Sequence, residues 1–526
     1  MVAPEHINCY KAKDIGKKMM EESLKNKDTF GELKVQRNKR VKPMSSTIAS
    51  VRVDDDIIHV DSTQLFQRII CTVKVPQELE DSFSYELATV PLSIFDEAGL
   101  MRKTRKSAFY KMFNDIKEGL IHDSGTKYVI DGGHLIHRVV WPKQGSFADV
   151  SATYVNFIKK HYGKEVTVIF DGYSTNEIST KNNLRQRRLM KQISPEIIFN
   201  DNTSITVPQV KFLSNLKNKQ CLIMHLCEAF HKQGIETHTA VDDADVLIIQ
   251  TAISEADQHE SVVVVGQDVD LLTLITALTP EDKNVLMLKE AQGNIPRKVY
   301  SSQEIQQSNV LRNIKESVMF AHSFSGCDTT SSFYGQGKMK AVSLLNKYDH
   351  FQDIVAVFNN PLSTHDEVAA AGEKFILALY NAPSTERDLN HYRYISFNKN
   401  VSQSSHAVML SSLPPTSAAG RQHSYRVYYQ IQTWRGEVKQ PDIWGWKKSG
   451  DGLSPVYTTA PPAPAKILKV IACSCKSGCG RRCGCVRAGL SCSAMCSMCN
   501  GQACLNSPQV MHSTDDLDSD NEDLFQ

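Results

Sequence analysis

Between residues 125 and 345, short apolar runs alternate with helical stretches, and several of the runs end in aspartate. Tyr-Val-Ile is followed by Asp131-Gly-Gly, Val-Thr-Val-Ile-Phe by Asp171-Gly, and Val-Val-Val-Val-Gly-Gln by Asp268-Val-Asp270. A further run leads through Thr239-Ala-Val to Asp242-Asp-Ala-Asp245, which opens an apolar helix over 246–252. Runs this short and this apolar read as strands buried on both faces, expected at 128–130, 166–170, 235–240, 262–265 and 285–288. Between them, 212–231 carries Leu222, Ile223, Leu226, Cys227 and Phe230 at helical spacing. The expected fold is α/β, a mainly parallel twisted sheet with flanking helices.

Ligands of an open parallel sheet bind outside the carboxyl ends of its strands, which is where these acids fall. Each aspartate alone is explained as a helix N-cap or a turn residue. As a set, crowded carboxylates raise one another's pKa unless a cation neutralises them, and hard divalent ions suit oxygen donors. Two Mg²⁺ or Mn²⁺ ions roughly 4 Å apart can activate water and stabilise the leaving oxygen of a phosphodiester.

The remaining composition is ordinary. With 41% hydrophobic and 22% charged residues, most of the 526-residue chain is expected to fold, into roughly two to four domains. Sixty basic against 58 acidic side chains give +2, so any basic surface is local. No apolar run nears the ~18 residues that span a bilayer, and the start lacks a signal pattern. The expectation is a soluble intracellular protein without membrane contact.

Residues 1–120 are the least readable, with basic runs at 34–42 and at Arg102-Lys-Thr-Arg-Lys106, read as solvated faces or loops, with nuclear import or nucleic acid contact as the minority reading. Residues 346–400 read as helical, and those from 401 onward as mixed loop and strand, the whole forming a 346–454 region. The Ala-Pro-Pro-Ala-Pro stretch makes 455–465 a linker, and 466–506 a cysteine module. The acid-rich 507–526 is read as a disordered tail.

In order, Asp131-Gly-Gly, Phe170-Asp171-Gly, Asp243-Ala-Asp245, Asp268-Val-Asp270 and Gly326-Cys-Asp328 resemble the acidic motifs of the flap endonuclease branch of the PIN-like nucleases. The resemblance covers about 125–345. It implies that Asp131, Asp171, Asp243, Asp245, Asp268, Asp270 and Asp328 hold the metal ions; the third pair is shorter than the family's Glu-Ala-Glu type. Gly335-Gln-Gly337-Lys338-Met-Lys340 resembles the family's helix-two-turn-helix segment. The resemblance implies that its glycines, Lys338 and Lys340 grip a duplex phosphate. Lys181, Arg185 and Arg188, one helical face of a basic insert, match the helical gateway that steers the scissile phosphate. About 120 residues precede the first strand here, whereas it opens the chain in flap endonucleases.

Nine of the 14 cysteines lie at Cys473, Cys475, Cys479, Cys483, Cys485, Cys492, Cys496, Cys499 and Cys504. A dense cluster of thiols in an intracellular chain points to metal rather than disulfides. The order resembles a tesmin-type CXC module, which implies three Zn²⁺ on nine thiolates. Three tetrahedral ions need twelve bonds, so some thiolates must bridge. The cations at Lys466, Lys469, Lys476, Arg481, Arg482 and Arg487 would offset the cluster's negative charge, and the resemblance implies that Lys476, Arg481, Arg482 and Arg487 meet DNA.

Trp434, Trp444 and Trp446 are read as a local core or a partner surface, and Cys327 as a small buried thiol. The expected function is a metal-dependent, structure-specific nuclease acting on DNA, with RNA left open, tethered by its zinc module and working in the nucleus. The alternative is a nucleic-acid-binding or chromatin protein that kept the fold and lost the activity.

Overall fold

The computed structural model describes residues 76–116, 125–172, 194–386, 388–403, 408–449 and 452–464 continuously, with Thr180 and scattered positions in 14–71 and 473–506. The chain forms two compact units, Val90–Ala460 and Met1–Thr89 with Pro461–Gln526.

The first strands, β1 (Ser50–Val53) and β2 (Asp56–His59), pair antiparallel in the unit built from the chain ends. The larger unit is organised by a six-stranded sheet: β3 (Thr126–Asp131), β4 (Val166–Phe170), β5 (Glu236–Thr239), β6 (Ser261–Val265), β7 (Val285–Lys289) and β8 (Lys298–Ser301). Its spatial order is β5-β4-β3-β6-β7-β8, parallel throughout except for β8, which runs against β7. Every residue of β4 and β6 is buried, which is why these strands read as unbroken apolar runs. The five expected strands are present within a residue or two of the expected ends. The sixth, β8, adds an antiparallel edge that the sequence reading lacked.

From β3 the chain builds outward through β4 and β5, then returns to lay β6 against the other side of β3. Strand order therefore reverses between β3 and β6, the place where an open α/β sheet leaves a crevice at its carboxyl edge. Asp131 ends β3 and Asp268 lies just beyond β6.

From residue 314 onward the described residues of the larger unit form six α-helices: α1 (Ile314–Phe324), α2 (Lys338–Lys347), α3 (Phe351–Asn359), α4 (His365–Leu379), α5 (Leu389–Gln403) and α6 (Ser417–Trp434). The last of these corrects the mixed loop-and-strand reading. Gln422, His423, Arg426, Gln430 and Gln432 point inward beside Val427, Tyr428 and Ile431, so α6 is buried all round and shows no apolar stripe. It packs on α1 and α4, with Gln430 accepting from the Thr329 hydroxyl and His423 3.2 Å from the Phe324 carbonyl. Trp434, Trp444 and Trp446 are buried. Before the expected linker, β9 (Trp446–Ser449) pairs with β10 (Gly452–Pro455), which ends where that linker begins, and Arg426 donates to the Val456 carbonyl. No helix among the described residues is long and apolar enough to cross a membrane.

Candidate active site and cysteine metal centre

Asp131 begins the helix Gly132–Arg138, its carboxylate accepting from the His134 amide at 3.1 Å. Asp171 follows β4 and accepts from the Ala244 amide at 3.1 Å, while Gly172 donates to the Asp242 carbonyl. The turn carrying Asp243 and Asp245 is thereby latched to Asp171. A Cβ on Gly133 would stand 3.0 Å from an Asp131 oxygen and 3.6 Å from an Asp171 oxygen, so both carboxylates close over this one glycine. Burial, then the charges of Asp171 and Asp268, outweigh two backbone amides and push Asp131 up to about 7. Among the described residues no lysine or arginine pairs with Asp131 or Asp171.

On the other side of the crevice, Asp268 caps the helix Val269–Leu278, accepting from the Asp270 amide. Carboxylate oxygens of Asp268, Asp270 and Asp328 come within 4.8 Å of one another, a cluster of a size to hold a cation. A side chain fills it. Lys106 places its ammonium 2.8 Å from Asp328, 3.1 Å from Asp268 and 3.2 Å from Asp270. Burial disfavours that charge, but Asp270, Asp268 and Asp328 overcome it and hold Lys106 well above the usual lysine range. Burial and Asp270 push Asp268 up to about 6, against the pull of Lys106.

Asp270 is also 2.7 Å from Nε2 of His322, whose Nδ1 is 3.1 Å from the Lys338 ammonium. Burial lowers His322 to about 4 and Lys338 to about 8. Sequence reasoning missed both Lys106 and His322. Lys106 closes a basic run that looked solvated, yet the Phe109 and Tyr110 just after it were a sign of anchoring. His322 is the lone imidazole in the apolar run Val-Met-Phe-Ala-His-Ser-Phe, six residues before Asp328.

The expected duplex grip is corrected in part. Lys338 is 1% exposed and its ammonium bonds His322 and Ser325, because the first turn of α2 lies against α1; from there it cannot meet a phosphate. Gly335 and Gly337 are exposed, and Lys340 bonds Gln336 at 2.8 Å. Gly335 has φ +69°, a conformation that favours glycine, and nothing lies within 4 Å of a Cβ on either glycine. The loop borders a cavity of about 390 Å³ whose other wall holds Arg102, Lys103 and Thr104. Lys181, Arg185, Arg188 and Lys476 lie outside the described residues.

Eight of the nine clustered cysteines form three overlapping groups of four whose sulfurs lie within 4.8 Å: Cys473, Cys475, Cys479 and Cys483; Cys473, Cys485, Cys492 and Cys496; Cys473, Cys479, Cys492 and Cys499. Cys504 packs at their edge, and none of the nine is in a disulfide. Burial raises the thiols of Cys473, Cys479 and Cys492, the last to about 12, whereas backbone and thiol hydrogen bonds outweigh burial and lower Cys483 to about 7; sulfurs grouped this closely could hold a metal ion. Arg481, Arg482 and Arg487 are exposed on this module.

A family model described as "Domain of unknown function (DUF8702)" matches residues 1–86. No curated protein matches the chain. Similar solved structures include the bacteriophage T5 D15 protein co-crystallised with metal ions, at 17% identity and TM-score 0.31, covering 59% of this chain and 99% of that one. A T5 D15 flap endonuclease complex with DNA and metal ions covers 59% and 100%, at 14% identity and TM-score 0.29. The catalytic core of Rad2 in complex with DNA substrate covers 62% and 96%, at 11% identity and TM-score 0.31.

Proposed function

We propose that this chain is a divalent-metal-dependent nuclease that cuts phosphodiester bonds in structured DNA and is held on DNA, in the nucleus, by a three-zinc cysteine module. The observation that carries the reading is the convergence of acids from successive parallel strands on the crevice where strand order reverses. Asp131 ends β3, Asp171 follows β4, Asp243 and Asp245 follow β5, Asp268 and Asp270 follow β6, and Asp328 joins them. The donor set suits a hard divalent cation: carboxylate oxygens only, with Asp131 and Asp171 crowded over Gly133. Asp131 and Asp171, with Asp243 and Asp245 alongside, would hold Mg²⁺ or Mn²⁺. Such an ion, when bound, lowers the pKa of water and offsets charge on the phosphoryl oxygens.

The chain's own groups do the rest of the work. The amides of the exposed Gly335 and Gly337 can take a phosphate of the duplex arm; Arg102 lines the same cavity and Lys340 bonds Gln336 between the two glycines. Lys181, Arg185 and Arg188 are assigned to the scissile phosphate and the single strand. Arg481, Arg482, Arg487 and Lys476 are assigned to phosphate contacts of the cysteine module.

One observation favours a second reading. The Lys106 ammonium already neutralises part of the Asp268, Asp270 and Asp328 cluster, as it would in a nucleic-acid-binding scaffold without activity. The deciding experiment offers flap, fork, hairpin and single-stranded DNA and RNA to the full chain with Mg²⁺, Mn²⁺ or EDTA. Metal-dependent cleavage establishes the nuclease; binding without cleavage on any substrate establishes the scaffold.

A further inference from the structure

We propose that Lys106 is a resident cation of the carboxylate edge. Its ammonium takes the place between Asp268, Asp270 and Asp328 that a second divalent ion would need, so the chain takes one such ion, at Asp131 and Asp171. The proposal rests on the nuclease reading above and specifies how its site is charged.

Three observations support it. The contacts are those of a cation in a cage: Lys106 Nζ lies 2.8 Å from Asp328, 3.1 and 3.2 Å from the two Asp268 oxygens, and 3.2 Å from both oxygens of Asp270. A divalent ion drawn to the same oxygens would sit against the ammonium, and like charges at that range repel.

The lysine is also placed rather than free to wander. Lys103, three residues earlier, donates to the carbonyls of Cys327 at 2.9 Å and Asp328 at 2.8 Å, and the Ser332 amide donates to the Arg102 carbonyl. Phe109 is fully buried against the His322 ring, and Tyr110 donates to the Gln267 carbonyl at 3.0 Å. The segment is thus pinned on both sides of Lys106, to the turn that carries Asp328 and to the strand end that carries Asp268. Withdrawing the ammonium would leave three carboxylates facing one another.

The two halves of the edge differ in the same sense. Asp268, Asp270 and Asp328 share an ammonium, whereas no described basic group pairs with Asp131 or Asp171. The second half is where an external cation is still called for. A lysine carries one charge and offers no open coordination position, so Lys106 can orient the carboxylates and a phosphate oxygen but cannot activate water as a metal would.

The test counts ions. The full chain, zinc-loaded at its cysteines, is titrated with Mn²⁺ by calorimetry, with free Mn²⁺ followed by electron paramagnetic resonance. The wild type is expected to bind one Mn²⁺, Lys106→Met two and Lys106→Arg one. In the wild-type background, Asp328→Asn should keep the single ion and Asp131→Asn should lose it, so the outcome does not depend on Lys106→Met folding. Two ions in the wild type, or loss of the single ion in Asp328→Asn, would overturn the proposal. Cleavage by the same samples reports separately: two ions with cleavage intact defeats the lysine and spares the nuclease, whereas one ion without cleavage on any substrate does the reverse.

Discussion

His322 holds Asp270 through a 2.7 Å hydrogen bond inside a fully buried contact. Because burial keeps the imidazole neutral at ordinary pH, Nε2 donates to the carboxylate and Nδ1 accepts from the Lys338 ammonium. Lys338, His322 and Asp270 therefore form one polar chain running from the start of α2 to the carboxylate edge, and it fixes the orientation of Asp270 from behind while Lys106 meets it from the front.

Lys338→Ala is expected to act on stability rather than on DNA. It opens a cavity and strips His322 Nδ1 of its donor, together costing about 2–4 kcal/mol. The urea midpoint should fall while duplex affinity per folded molecule stays level. Lys340→Ala should do the opposite, weakening duplex binding and lowering its salt slope by roughly one per lost phosphate contact. An unchanged midpoint in Lys338→Ala would contradict the buried chain.

Asp171→Asn combined with Asp268→Asn is expected to remove metal-dependent cleavage while DNA binding stays measurable, since the acids and the basic surfaces are separate. Gel-based cleavage and fluorescence anisotropy on one preparation read the two properties. A double variant that still cuts at the wild-type rate would place the chemistry elsewhere.

The burial of Asp131 and, after it, the charge of Asp171 predict a pH-dependent penalty. Folded Asp131 binds its proton up to about pH 7 but unfolded aspartate only to about 3.8. Its contribution to stability is therefore full below 3.8 and lost as pH rises to 7. Asp131→Asn, which cannot ionise, should melt above the wild type at pH 8 without divalent ions, by of order 2–4 kcal/mol, and the gap should close by about pH 4. Added Mn²⁺ should narrow it at pH 8 by stabilising only the wild type. A gap independent of pH would rule out the carboxylate as its source.

For the cysteine module, native mass spectrometry of the full chain should count three zinc ions. Cys473 belongs to all three groups of sulfurs and Cys504 to none of them. Cys473→Ser should therefore release more than one ion and Cys504→Ser at most one. Equal losses in the two variants would contradict a shared central thiolate.

The sheet and its acids were legible because both obey local rules. β4 and β6 are buried on both faces and so carry no polar residue to interrupt the run beyond Thr167 and Ser261, and the aspartates double as helix caps and site residues. What stayed hidden depends on contacts remote in sequence. Lys106 meets Asp268 across 162 residues, and nothing in Arg-Lys-Thr-Arg-Lys distinguishes a lysine bound for a carboxylate cage from one bound for solvent. Lys338 looked exposed because it is charged, yet it is buried against α1. The helix α6 was missed because several of its inward residues are polar, and four of them, His423, Arg426, Gln430 and Gln432, find their partners only in the folded unit.

The seating of α6 bears on how the protein can be dissected. A truncation ending near residue 345 would retain every acid of the crevice and look like a minimal catalytic fragment. It would also take Gln430 from Thr329, the residue next to Asp328, and His423 from the Phe324 carbonyl, baring Phe324 and Phe333 where the imidazole now stacks edge-on. Loss of activity in such a fragment would report a missing buttress rather than an inert site. The shortest piece whose silence is informative reaches about Ala460.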